Sequence, residues 1–242
     1  DALMAIIYWI TLPFSSMAVA EKAVRIVYPG LWMIPAFTAI SYFAFRFTSN
    51  RLVVVVTLLM LVLNPATFTQ FVAGRIDHHN AQIALALVTV IASALQRLDW
   101  RFAILSGLSG GLLLTIGLEA IPFVVIAAAA CAVNYVINED GEKPTQFFAL
   151  SLAGATLIGH LLSYSPSNVL VTACDALAAN MTLGVVTGCA TLLIWTKLQR
   201  LNATLFQRIL GVACAGALAA VVYGFMDSAC LKGPFGHINP AV

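Results

Sequence analysis

Long apolar runs separated by short polar breaks make up nearly the whole chain. The runs cover residues 2–18, 24–45, 52–70, 81–96, 102–117, 120–137, 147–164, 181–196 and 208–225. Most approach the ~20 apolar residues that a helix needs to cross a bilayer. Lipid offers no partner for an unpaired backbone N–H or C=O, so runs of this length predict helices. The stretch from Phe102 to Ile137 is too long for one crossing and leaves no room for a long loop between two. It predicts a tight hairpin broken at "IGLEAIP", Ile116 to Pro122, where Gly117 ends one helix and Pro122 fits the first turn of the next. The expected fold is all-α: a polytopic transmembrane bundle of about eight or nine apolar helices with short loops, forming a single transmembrane domain over residues 1–242. The run 2–18 is barely long enough to span and serves equally as a membrane-surface helix.

Composition sharpens this picture. The chain is 61% hydrophobic and 9% charged, with a mean hydropathy of +0.96. Soluble domains carry about 25% charged residues, so the charges here are too few to clothe a soluble protein of this length. No basic cluster points to nucleic acid. The five cysteines, Cys131, Cys174, Cys189, Cys214 and Cys230, form no CxxC pair, which argues against a zinc knuckle. Cys131, Cys189 and Cys214 lie within apolar runs and read as small core residues. The chain opens on Asp1 with no basic segment before its first apolar run, so that run is not a signal peptide, and the chain reads as a piece of a longer protein.

The positive residues orient the spans. Arg46, Arg51, Arg97, Arg101, Lys143, Lys197, Arg200 and Arg208 fall on connections that alternate to one side, the expected cytoplasmic side. Only Lys22, Arg25, Arg75 and Lys232 fall on the other. The outward connections at 71–80, 116–122, 165–180 and 226–242 then carry Asp77, His78, His79, Glu119, Asp175, Asp227, Lys232 and His237. Cys174 and Cys230 share that side, where a disulfide can form; spacing does not decide whether they meet. The expected location is an integral membrane protein of the bacterial inner membrane with its site facing the extracytoplasmic side.

The densest chemistry is "AGRIDHHNAQ", Ala73 to Gln82. In an extended segment Asp77 and His79 project to one side and can grip one divalent cation. A mixed carboxylate and imidazole set suits Mn²⁺, Zn²⁺ or Fe²⁺, and Mg²⁺ if water completes the shell. Asn80 is a good N-cap for the helix that follows, whose positive end favours an anion such as phosphate. Arg75 offers a direct phosphate contact. Glu119, at the hairpin break, is a further metal or substrate contact if it faces Asp77, and Lys232 and His237 in "CLKGPFGHINP" are candidates to meet a phosphate.

"GRIDHHN" at the outer end of a span resembles the second acidic motif of the membrane-embedded C-type (GT-C) glycosyltransferases, the oligosaccharyltransferase catalytic subunits among them. With "GLEAIP" and "CLKGPF" following in order, it is also similar to a group of bacterial inner-membrane proteins. The resemblance implies that Asp77 and His79 are metal ligands with His78 as neighbour. It implies a divalent metal, Mg²⁺ or Mn²⁺, and a polyprenyl-phosphate-linked sugar donor reached from the membrane lipid. In that superfamily a surface helix and two spans precede the motif, which would make 2–18 the surface helix and 24–45 and 52–70 the spans. The family's first acidic motif would lie before Asp1. No general base is identified, and nothing bears on oligomeric state. Two other classes stay open: a secondary transporter moving protons or a small solute, and a non-catalytic membrane scaffold.

Overall fold

The computed structural model describes residues 2–198, 203–233 and 236, and, of these, the side chains of all but Ala66 and Phe68. Among the described residues there are ten α-helices and no strand. The all-α expectation holds at that level. Six helices are long and apolar enough to cross a membrane, fewer than the eight or nine expected. The chain divides into two compact units, Asp1–Val88 and Thr89–Val242.

The first unit holds α1 (Ala2–Thr11), α2 (Met17–Thr48), α3 (Arg51–Leu63), α4 (Pro65–Phe71) and the start of α5 (His78–Leu95). The run 2–18 does not form one helix. α1 stops at Thr11, and a 3₁₀ turn over Leu12–Phe14, with Pro13 in it, separates it from α2. Ten residues of helix reach about 15 Å, half a bilayer core, so α1 cannot cross alone. The run 52–70 is also broken. Asn64 is extended ahead of Pro65, as the clash between a proline ring and the preceding residue requires, and this divides the run into α3 and α4. The two spans expected before the "DHH" stretch are therefore one long helix, α2, and a broken pair.

α2 contains Pro29 and Pro35. A proline inside a helix has no N–H for the carbonyl four residues earlier. Pro29 thus leaves the Arg25 carbonyl without its helical donor. The N–H of Gly74, 49 residues away in sequence, donates to that carbonyl at 2.7 Å. Gly74 has φ +97°, which an L-residue adopts only with strain. This bond fastens the loop after α4 to α2 and sets the entry to α5.

The second unit holds the rest of α5, then α6 (Arg101–Ile116), α7 (Ile121–Ile137), α8 (Glu142–Ser163), α9 (Ala179–Leu198) and α10 (Leu205–Met226). α8 packs on both α6 and α9, and α9 packs on α10. The expected hairpin break is present: Gly117 caps α6, a 3₁₀ turn covers Leu118–Ala120, and Pro122 sits in the first turn of α7. Gly117 is extended, with φ 176°, so the break does not need its left-handed freedom.

Small residues bring α6 and α8 together. A Cβ added at Gly111 would lie 2.8 Å from Thr156 N, and one at Gly107 would lie 2.6 Å from Phe148 O. Hydroxyls close the seam to α5: Thr89 Oγ1 donates to Ser109 Oγ at 2.8 Å, and Ser106 Oγ to the Thr89 carbonyl at 2.8 Å. At the other end of the bundle Arg208 Nη1 donates to the carbonyls of Asn138 (2.6 Å) and Tyr135 (3.1 Å), satisfying acceptors that the end of α7 leaves open.

Candidate functional site

The "DHH" stretch does not run extended. α5 begins at His78, so Asp77 takes the capping place expected for Asn80. Its Oδ1 accepts from the His79 N–H at 3.4 Å. Asn80 is fully buried in the first turn instead. Its Oδ1 accepts from Ala81 N–H at 2.9 Å and its Nδ2 donates to the Arg75 carbonyl at 3.3 Å, which pins the turn from inside.

Four expected site residues come together here. Asp77 Oδ1 lies 2.8 Å from His79 Nδ1 and 3.1 Å from His78 Nδ1. The two imidazoles stack with centroids 4.3 Å apart. Arg75 Nη2 approaches Asp77 Oδ2 at 3.3 Å, and its Nη1 points to the Thr69 carbonyl at 3.4 Å. Hydrogen bonding from His79 is the main reason the Asp77 carboxyl is held down at about 2; partial burial opposes it, and His79 charge and Arg75 add to it. The carboxylate is a permanent anion at any physiological pH.

Asp77, His78 and His79 each offer a ligand atom, all within 4.8 Å of one another. Two ligands at about 2.1 Å and at right angles around an ion stand about 3.0 Å apart. The nitrogen-to-oxygen separations of 2.8 and 3.1 Å lie near that edge, and the shorter is also the hydrogen bond between His79 and Asp77, so the three groups are close enough to share an ion in exchange for that bond. One carboxylate and two imidazoles favour Mn²⁺ or Zn²⁺ over Mg²⁺.

The other expected contacts belong to the second unit. Glu119 is exposed in the 3₁₀ turn between α6 and α7, and Lys232 is exposed at the end of a 3₁₀ turn over Ser228–Lys232. His237 lies outside the described residues.

The second unit settles the cysteine question. Cys174 and Cys230 form a disulfide, and both are buried. Asp227 Oδ1 accepts from Ala229 N–H at 3.1 Å, starting the turn that carries Cys230. These three residues offer atoms close enough for a metal, but the two sulfurs are spent on each other. The connection from Tyr164 to Ala178 is held down at several points. His160 Nε2 lies 2.9 Å from the Val169 carbonyl, and the buried Asn180 amide donates to the Ala173 carbonyl at 3.0 Å.

Gln82, the last residue of "AGRIDHHNAQ", has no sequence signal of its own, because it interrupts an apolar run only once. It sits one turn beyond His78 and His79, on their helix face. It is buried, and its Nε2 has no hydrogen-bond partner among the described residues. No protein-family model, no curated protein and no solved structure matches this chain, so the site is read from its own chemistry.

Proposed function

We propose that the chain is the membrane core of a GT-C-type glycosyltransferase that draws a sugar from a polyprenyl-phosphate-linked donor on the extracytoplasmic side. The observation that carries this reading is the Asp77–His78–His79 donor set at the head of an apolar helix, with Arg75 against it. The resemblance of "GRIDHHN" to the second acidic motif of that superfamily supports it. Asp77 and His79 would hold the divalent metal, with His78 beside them, and the metal when bound supplies positive charge against a leaving phosphate. Arg75 uses two of its five N–H donors on Asp77 and Thr69, which leaves three for a phosphate oxygen. Asn80 and the Gly74–Arg25 bond keep these groups in place before any ligand arrives.

The disulfide supports the sidedness. It needs an oxidising compartment, and it joins the connection after α8 to the turn after α10. Lys143, Lys197 and Arg208 lie at the opposite ends of α8, α9 and α10. The transporter reading finds less support. Among the described residues the Asp, Glu, Lys and Arg side chains sit near helix ends or in connections, whereas translocation sites gather such groups near the midplane.

The test is transfer of a labelled sugar from a polyprenyl-phosphate donor in membranes bearing the chain, with and without added Mn²⁺. Asp77→Asn and His79→Ala should each lower metal-dependent transfer at least ~100-fold, the scale of a lost electrostatic contact, while membrane insertion persists. Transfer that survives both substitutions removes the assignment.

A further inference from the structure

α2 is longer than a bilayer core. Its uncharged stretch runs from Ile26 to Phe45, bounded by Arg25 and Arg46. Those 20 residues span about 30 Å, the thickness of the hydrocarbon layer. The turn before Ile26 therefore stands at the level of the lipid phosphates, and it carries Glu21, Lys22 and Arg25.

Two hollows adjoin at this level, both within the first unit. One, of about 350 Å³, is walled by Met4, Ala5, Tyr8, Trp9, Val24 and Ile76. The other, of about 450 Å³, is walled by Lys22, Ala73 and Gly74 with the first turns of α2. Glu21 and Arg25 line both and form the boundary. One hollow is apolar and the other cationic, with two cations against one anion. Lys22, Arg25 and Glu21 make no side-chain ion pair among the described residues, and the charges that line the cationic hollow sum to one net positive.

An apolar trough opening onto a cationic one is the template of an anionic amphiphile. We propose that α1, the first turns of α2 and the Ala73–Ile76 loop form a binding site for an anionic phospholipid. Its phosphate rests on Lys22 and Arg25, and an acyl chain lies along Met4, Tyr8, Trp9 and Val24. The site shares the Ala73–Ile76 loop with the Asp77 donor set, but Arg75, Asp77, His78 and His79 line neither hollow. It rests on α2 being a membrane span, not on the transferase reading, and a failure of either leaves the other standing. The Gly74–Arg25 bond links them physically, because the loop that closes the cationic hollow also leads to Asp77.

The test is lipid retention by the full chain in nanodiscs of equal phosphatidylglycerol and phosphatidylcholine with matched acyl chains, read by native mass spectrometry. Phosphatidylglycerol should be retained preferentially, by about fivefold for each cation engaged. Lys22→Gln with Arg25→Gln should abolish the preference, whereas Lys197→Gln, at the end of α9, should leave it intact. Glu21→Gln removes the one opposing charge and should strengthen the preference. Equal retention of the two lipids, a preference that survives the double substitution, or weaker binding in Glu21→Gln would overturn the proposal. Displacement of the lipid by inorganic phosphate would also overturn it, since the ligand would then be the free anion.

Discussion

The amide of Gly74 occupies the carbonyl of Arg25 because Pro29, one helical turn on, has no hydrogen to offer it. A defect in α2 thus becomes the anchor for the loop that positions Asp77. The arrangement links helix chemistry to site chemistry without any side chain.

Pro29→Ala restores the missing N–H and sets it in competition with Gly74. The Gly74 amide should then exchange with solvent at least ~5-fold faster, as expected for a backbone bond worth about 1 kcal/mol, even as α2 itself becomes a better helix. Hydrogen exchange followed by mass spectrometry over residues 72–77 reads this directly. An unchanged rate would mean that the loop is held by other contacts.

Asp77 contributes to stability with a defined pH signature. Its carboxyl falls from an ordinary 3.8 to about 2 in the folded protein, chiefly through His79. A group whose value is lowered on folding stabilises fully above its unfolded value and loses that contribution as pH falls through its folded value. The gap in thermal midpoint between the native protein and Asp77→Asn should close progressively as pH falls from about 5 through 3.8 toward about 2. A gap that closes at higher pH would assign the effect to another group.

The Cys174–Cys230 bond closes a sequence separation of 56 residues. Chain-entropy arguments give such a loop up to about 4 kcal/mol. Cys174→Ser and Cys230→Ser should each lower the thermal midpoint in detergent by a similar amount, and reductant should reproduce the loss in the native protein only. Alkylation of the denatured chain should find three thiols, Cys131, Cys189 and Cys214, before reduction and all five after it.

The α6–α8 seam predicts opposite outcomes for one kind of substitution. Gly111→Ala places a methyl group against Ala155 and Thr156 and should destabilise by about 1–3 kcal/mol. Gly154→Ala, on α8 with open space before it, should stabilise by up to about 1 kcal/mol through helix propensity. Thermal midpoints of the two variants test the seam; equal effects would show that the helices are not in close contact.

Much of the helical content was legible because lipid-length apolar runs leave the backbone few choices. The hairpin at Ile116 to Pro122 was readable from Gly117 and Pro122 for the same reason. The Asn64–Pro65 break carried its own local signal, which the apolar flanks obscured. Asp77 and Asn80 are equally good capping residues, so the start of α5 was undecided by propensity alone. The structure places the cap at Asp77, and the carboxylate meets His78 and His79 by folding back over a helical turn and not across an extended strand. The Pro29–Gly74 relationship had no local pattern to betray it. Nor did Gln82, whose meaning lies in burial.

α6 is a helix of 16 residues, half of them buried, and is about 24 Å long. α10 has 22 residues and is largely bare. A change of membrane, from thin to thick, would be felt first by α10 as a mismatch relieved by tilting, and less by α6, which meets lipid only along Leu105, Leu108 and Leu112.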